Sequence, residues 1–170
     1  MDKLKTIKAK ILSGKKLDQI LACWRFKELT IVFTNGCFDI LHRGHVDYLA
    51  RASELGEILV VGLNTDRSVR KIKGPDRPLQ DQQSRALLIA SLLFVDAVIL
   101  FDDETPAELI RQVRPAVLVK GSDYKPEEIV GYDIVTEYGG RVESLDLVEG
   151  YSTSGIVEKL NVKPGDKGNR

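Results

Sequence analysis

At 170 residues with 43% hydrophobic content, the chain can bury one sizeable core but leaves no room for a second full domain. Lys plus Arg and Asp plus Glu each total 25, so the formal net charge is zero and nothing points to nucleic acid or a membrane as a partner. The first residues lack the apolar stretch of a signal peptide, no apolar run approaches the ~20 residues of a membrane span, and there are only two cysteines; a reducing cytoplasm is the expected setting.

Leu4, Ile7 and Ile11, then Leu17, Ile20, Leu21 and Trp24, recur at helical spacing and predict an N-terminal helical arm over residues 1–28. Its stripes are expected to pack on the chain's own sheet, with a homodimer contact as the alternative. Cys23 falls on the apolar face with no CxxC partner, so core packing accounts for it. Beyond the arm, strands expected near 30–35, 58–63, 97–101, 116–120 and 141–146 alternate with helices near 44–55, 82–94, 105–113, 127–138 and 153–160. That alternation predicts an α/β fold: a single doubly wound domain over residues 29–162 with a five-stranded, mostly parallel sheet covered on both faces. Residues 163–170 hold too little apolar content to order themselves and are expected to form a flexible tail.

The chain's two histidines stand together in His42-Arg43-Gly44-His45, at the turn between the first strand and the following helix. Ligands of open α/β sheets bind at such turns. With the helix beginning near Gly44, both imidazoles can face one spot beside its first turn, where free N–H groups and the positive end of the helix dipole also point. Neutral imidazoles can donate to phosphate oxygens, and Gly44, without a Cβ, leaves room for a phosphate near the backbone. The plainer alternative is a pair of polar residues capping a helix. Neither GxGxxG nor a Walker A sequence follows the first strand, which disfavours hydride transfer and P-loop phosphate cleavage. Cys37 as a nucleophile would need an oriented base, and the surrounding spacing instead suits a loop whose small residues make room for a ligand.

Further along, Lys71 and Lys73 are expected just beyond a short helix, where two ammonium groups two residues apart hold a phosphate or simply face solvent. Arg77 and Arg85 are candidates for bidentate phosphate binding, with an exposed helix face as the alternative for Arg85. Asn64 and Asp66 at the end of the second strand, and Asp39 in the first loop, suit ribose or sugar hydroxyls, or else local capping and loop ordering. Ser152, Thr153 and Ser154 precede an apolar helix and read as an N-cap, a role compatible with phosphate binding.

The stretch TNGCFDILHRGHVDYL, residues 34–49, resembles the signature of the HxGH cytidylyltransferase-like nucleotidyltransferases, and among them looks most like the D-glycero-D-manno-heptose 1-phosphate adenylyltransferases. The likeness continues in order through Val61–Asp66, Lys73–Pro78, Lys120–Tyr124 and Gly150–Ser154. It implies a Rossmann-like domain that transfers AMP from ATP to a sugar 1-phosphate. His42, His45 and Lys73 would stabilise the reacting phosphates. Asn35, Gly36, Phe38, Gly44, Gly150, Ser152, Thr153 and Ser154 would hold nucleotide, while Lys120, Gly121 and Asp123 would wall its adenine and ribose. Asp39, Asn64, Asp66, Lys71, Arg77 and Arg85 would serve the acceptor. Mg²⁺ would bridge triphosphate oxygens, since the chain shows no dedicated carboxylate cage. A separate heptose kinase would supply the substrate, and the resembled family tends to form homodimers. Three positions depart from the pattern: Ser154 stands where Thr is common, Ser122 where a second Gly is usual, and Leu147-Val148-Glu149-Gly150 replaces the Arg-Thr-x-Gly of more distant glycerol-phosphate cytidylyltransferases. CTP-dependent transfer to glycerol 3-phosphate and non-catalytic nucleotide binding are the alternative functions.

Overall fold

In a computed structural model that describes residues 2–121, 125–148 and 150–161, four apolar runs and the more polar edge segment Arg141–Leu145 form five strands. These are β1 (Ile31–Gly36), β2 (Ile58–Asn64), β3 (Ala97–Phe101), β4 (Val117–Gly121) and β5 (Arg141–Leu145). Continuous rather than alternating apolarity is what a strand buried on both faces requires. Phe33, Val60 and Leu118 accordingly turn into one apolar cluster, while Val32, Val61 and Val119 turn into the other. Every ladder is parallel, in the order β3-β2-β1-β4-β5.

The first cluster is closed by α2 (Gly14–Phe26), α6 (Ala107–Val113) and α7 (Tyr132–Glu137), which contribute Leu17, Leu21, Leu109, Ile110, Val113 and Val135. The second is closed by α3 (Arg43–Ser53) and α5 (Gln82–Ala90) through Tyr48, Leu49, Ala52, Ala86, Ile89 and Ala90. Short helices α1 (Lys3–Ala9), α4 (Asp66–Lys73) and α8 (Thr153–Asn161) complete the described chain. The arm joins the sheet directly. Leu12 N–H donates to the Val98 carbonyl and Val98 N–H to that of Lys10, each at 2.9 Å, and Leu12, Leu17 and Leu21 are buried.

Two helices are shorter than expected. The run Ser91-Leu92-Leu93-Phe94 does not extend α5: Leu93 is 94% exposed, and the Lys10 ammonium draws the Leu92 and Val95 carbonyls into a turn towards β3. The helix expected over 127–138 splits into a 3₁₀ turn at Pro126–Glu128 and α7, with Gly131 between them at φ 102°. A Cβ there would lie 2.5 Å from Ile110 Cδ1, so the chain must kink where α6 packs closest. The expected tail lies outside the described residues, as does Asp123 with its neighbours Ser122 and Tyr124.

Strands β1 to β3 are laid down in one direction and β4 to β5 in the other, so the chain diverges at the carboxyl ends of β1 and β4. Such a switch point opens a crevice for ligand. The histidine loop leaves β1 on one side of it, and Lys120 and Gly121 end β4 on the other. No described helix is long and apolar enough to cross a membrane.

Candidate active site

The histidines owe their placement to α3. Its Tyr48 hydroxyl lies 2.8 Å from Thr34 Oγ1 in the core, pinning the helix to β1. His42 occupies the N-cap in an extended conformation, and its carbonyl accepts from the N–H groups of His45 (2.9 Å) and Val46 (3.2 Å). Its side chain makes no capping bond, which removes the capping alternative. The two imidazoles instead stack on each other with centroids 3.7 Å apart and planes 19° apart. Both Nδ1 atoms are buried with no partner among the described residues. Burial lowers the pKa of both rings and, together with the neighbouring His42, brings His45 to about 4. The pair is therefore neutral at physiological pH, each ring keeping one N–H to donate.

The loop before α3 is shaped to support these rings. Phe38 takes a left-handed φ of 44° and sets its buried ring edge-on to His45, centroids 5.1 Å apart. Backbone strain of this kind costs of order 1–3 kcal/mol and persists only where the surroundings enforce it. Gly44 lines the cleft and has a steric reason of its own: a Cβ would stand 3.1 Å from Tyr151 Cβ and 3.2 Å from the His42 ring.

The histidines front a cleft with two lobes. One, of about 360 Å³, is lined by Asn35 to Asp39, Tyr48, Lys120 and Gly121; the other, of about 250 Å³, by His42, Gly44, Val148, Tyr151, Ser152 and Ser154. His45, Lys73, Leu147 and Thr153 line both, marking the boundary. Ser152 Oγ accepts from Gly155 N–H at 3.0 Å, so it caps α8 while facing the second lobe. Burial pushes the Cys37 thiol up, outweighing Lys73, Arg85 and Lys120, so the thiol stays protonated and is a poor nucleophile. A groove of similar size lies at the opposite end of the sheet, where Arg25 donates to the Gln112 and Val113 carbonyls and the Arg114 guanidinium lies over the Tyr138 ring.

Several expected ligands are spent within the protein. Arg85 is neither exposed nor free: it is 1% exposed, and its Nε, Nη1 and Nη2 donate to Gln80 O (3.0 Å), Cys37 O (2.6 Å) and Asp66 Oδ1 (2.7 Å). Arg85 and Asp66 therefore brace the loop instead of reaching the cleft. Asp39 accepts from Arg77 Nη1 (2.7 Å) and the N–H groups of Leu79 (2.7 Å) and Gln80 (3.1 Å). Burial alone would raise its pKa, but these bonds together hold it below the usual carboxylate value. The Asn64 amide donates to Ser68 Oγ at 2.9 Å. Lys71 and Lys73 both lie within α4, two residues apart and so on different faces; only Lys73 lines the cleft. Gly150 contributes a turn at φ 81° and does not line either lobe. Leu147, Val148 and Tyr151 are lining residues that sequence reasoning missed. The one signal was Tyr151 between Gly150 and the hydroxyl triplet, and Arg43 holds it by donating to its hydroxyl at 3.2 Å.

Residues 33–159 match the cytidylyltransferase-like family model. Among curated relatives, the bifunctional protein HldE of Syntrophotalea carbinolica is 53% identical over 89% of this chain, and that of Campylobacter concisus 52% over 93%. The chain spans about a third of the length of these relatives, 31% and 32% respectively. A lipopolysaccharide core biosynthesis protein from Thermoplasma volcanium is similar in structure, with a TM-score of 0.59 and 30% identity over 73% of this chain and 99% of that one. A pantoate-beta-alanine ligase from Francisella tularensis shares the fold at 14% identity, with a TM-score of 0.55 over 80% of this chain and 66% of the ligase. With most of the sheet and the whole histidine cleft inside the matched span, this chain belongs to the cytidylyltransferase-like family and is a nucleotidyltransferase.

Proposed function

We propose that the protein transfers AMP from ATP to D-glycero-D-manno-heptose 1-phosphate, releasing pyrophosphate and ADP-heptose. The observation that carries the reading is the neutral, stacked imidazole pair, set at a helix N-terminus in a cleft that Lys73 and the α8 hydroxyls also line. The heptose acceptor is supported by the similarity to HldE proteins and to a lipopolysaccharide core biosynthesis protein.

A sugar phosphate is already anionic at neutral pH, so the transfer needs no covalent enzyme intermediate and no strong base. An acceptor phosphate oxygen attacks the α-phosphorus in line; the new P–O bond forms as the bond to the β-phosphate oxygen breaks and pyrophosphate leaves with its electron pair. His42 and His45 donate to oxygens that gain charge, Lys73 neutralises them, and Ser152 and Thr153 orient the triphosphate. Asn35, Gly36 and Gly121 shape the cleft, and the Ser154 hydroxyl adds a further donor. Such a site works by alignment and fixed charge, which needs rigid supports like Phe38 and Asp39. Among the described residues no three His, Cys, Asp or Glu side chains gather into a metal cage and Asp39 is already bonded, so Mg²⁺ would enter with the triphosphate and would supply charge neutralisation there. A prior phosphorylation of the sugar supplies the acceptor.

The test is pyrophosphate release from ATP and from CTP, each with both anomers of the heptose 1-phosphate and with glycerol 3-phosphate. Turnover with ATP and one heptose anomer is the expected result. Turnover confined to CTP and glycerol 3-phosphate would overturn the substrate assignment and keep the chemistry.

A further inference from the structure

The larger lobe holds a cation that the reading above leaves without a task. Lys120, at the carboxyl end of β4, lines this lobe and not the other, whereas Lys73 lines both. Among the described residues the lobe's carboxylate is Asp39, which is bonded to Arg77, Leu79 and Gln80. Among the described residues Cys37 is the titratable group that acts on Lys120, and burial lowers the lysine's pKa to about 8. An ammonium with no carboxylate partner among the described residues is costly in such a place unless an anion arrives to meet it. Asn35, which also lines this lobe, has a buried Oδ1 with no partner among the described residues.

A nucleobase carries no charge to satisfy Lys120. The triphosphate already has the histidines, Lys73 and the hydroxyls along the other lobe and the boundary. We propose that Lys120 is the ligand of the acceptor's phosphate, holding it in the larger lobe against the α-phosphorus at the boundary, with Asn35 Oδ1 accepting from an acceptor hydroxyl. This reassigns Lys120 from the adenine wall to the acceptor, and it rests on the nucleotidyl-transfer reading of the cleft. In-line geometry supports the placement: attacking and leaving groups lie on opposite sides of the phosphorus, so a cation confined to one lobe meets one of them and not both.

The test compares Lys120→Met, which keeps the methylene stem and removes the charge, with Lys120→Arg, which keeps the charge. Inorganic phosphate serves as the probe of the acceptor subsite. It is titrated by ³¹P NMR into enzyme saturated with a non-hydrolysable ATP analogue, alongside the affinity for that analogue and the acceptor KM in pyrophosphate release. Lys120→Met is expected to weaken phosphate binding and raise the acceptor KM by about tenfold or more, with analogue affinity changed by no more than about twofold and no loss of melting temperature. Lys120→Arg should restore most of the phosphate binding. No phosphate binding by the wild type, binding unaffected by Lys120→Met, or an equal loss of analogue affinity would overturn the proposal; if Lys120→Met does not fold, Lys120→Gln answers the same question. Lys120-dependent phosphate binding with no turnover of any sugar phosphate would sink the substrate reading and leave this one standing. Heptose turnover with a Lys120-independent acceptor KM would do the reverse.

Discussion

Replacing Arg85 by alanine separates a structural brace from a phosphate ligand. The guanidinium is fully enclosed and bonded to two carbonyls and the Asp66 carboxylate, tying the histidine loop to the starts of α4 and α5. Bonds to a charged group net about 1.5–3 kcal/mol each, and removing one partner of a buried pair costs about 3–5 kcal/mol. Asp66 is partly exposed and can recover some hydration, so the upper end of that range does not apply and a loss of about 4 kcal/mol is expected. For a chain of this size each kcal/mol moves Tm by roughly 2–4 °C, which gives a fall of about 8–16 °C. Thermal unfolding followed by circular dichroism, with ATP-analogue affinity measured well below the transition, is the assay. Arg85→Lys should recover little stability, because one ammonium cannot reproduce the fork that meets three acceptors. A variant that melts with the wild type but binds the analogue tenfold more weakly would refute the brace and make Arg85 a ligand after all.

Three further outcomes follow from the same contacts. Gly44→Ala places a Cβ against Tyr151 and His42, so the His42 ring must shift by a few tenths of an ångström; kcat should fall about tenfold with Tm nearly unchanged, and unaltered turnover would show that this contact does not position the ring. Asp39 has a depressed pKa in the folded state, so its stabilisation is present above the unfolded carboxylate value and is lost as pH falls through the folded one; Asp39→Asn should therefore flatten the acid limb of stability against pH. His45 titrates near 4 in place of 6.5, so the unfolded chain binds a proton that the folded site refuses, and stability should decline as pH falls between those values. Chemical denaturation across that range should show a shallower decline for His45→Gln, and an identical slope would mean that the folded ring accepts its proton near the ordinary value.

Much of the framework is readable from local pattern. Continuous apolar runs such as Ile31-Val32-Phe33 and Val117-Leu118-Val119 announce strands buried on both faces, and the position of His42 and His45 at a strand-to-helix turn places them at the ligand end of the sheet. What local pattern does not carry is pairing across distance. Asp39 meets Arg77 from 38 residues away, and Arg85 meets Cys37 from 48, so which charges are spent and which remain for a ligand emerges only once the loops are brought together. Lys71 and Lys73 show the complementary failure: as an extended segment both would face one phosphate, but the helix continues through them and turns Lys71 away. Leu147, Val148 and Tyr151 carry little site signal in the sequence because isolated apolar residues in a loop have no periodicity, and only the fold shows that they wall the cleft.

Single-turnover and steady-state pyrophosphate release by His42→Ala and His45→Ala, with melting temperatures measured on the same samples, tests most directly whether the imidazole pair performs the transfer. Losing one donor to a developing phosphate charge is worth about 2.7–4 kcal/mol by analogy with oxyanion holes. Each variant should thus lose about 10²–10³ in kcat while melting within a few degrees of the wild type. Wild-type turnover by either folded variant would contradict the assignment of the stacked histidines to the reacting phosphates.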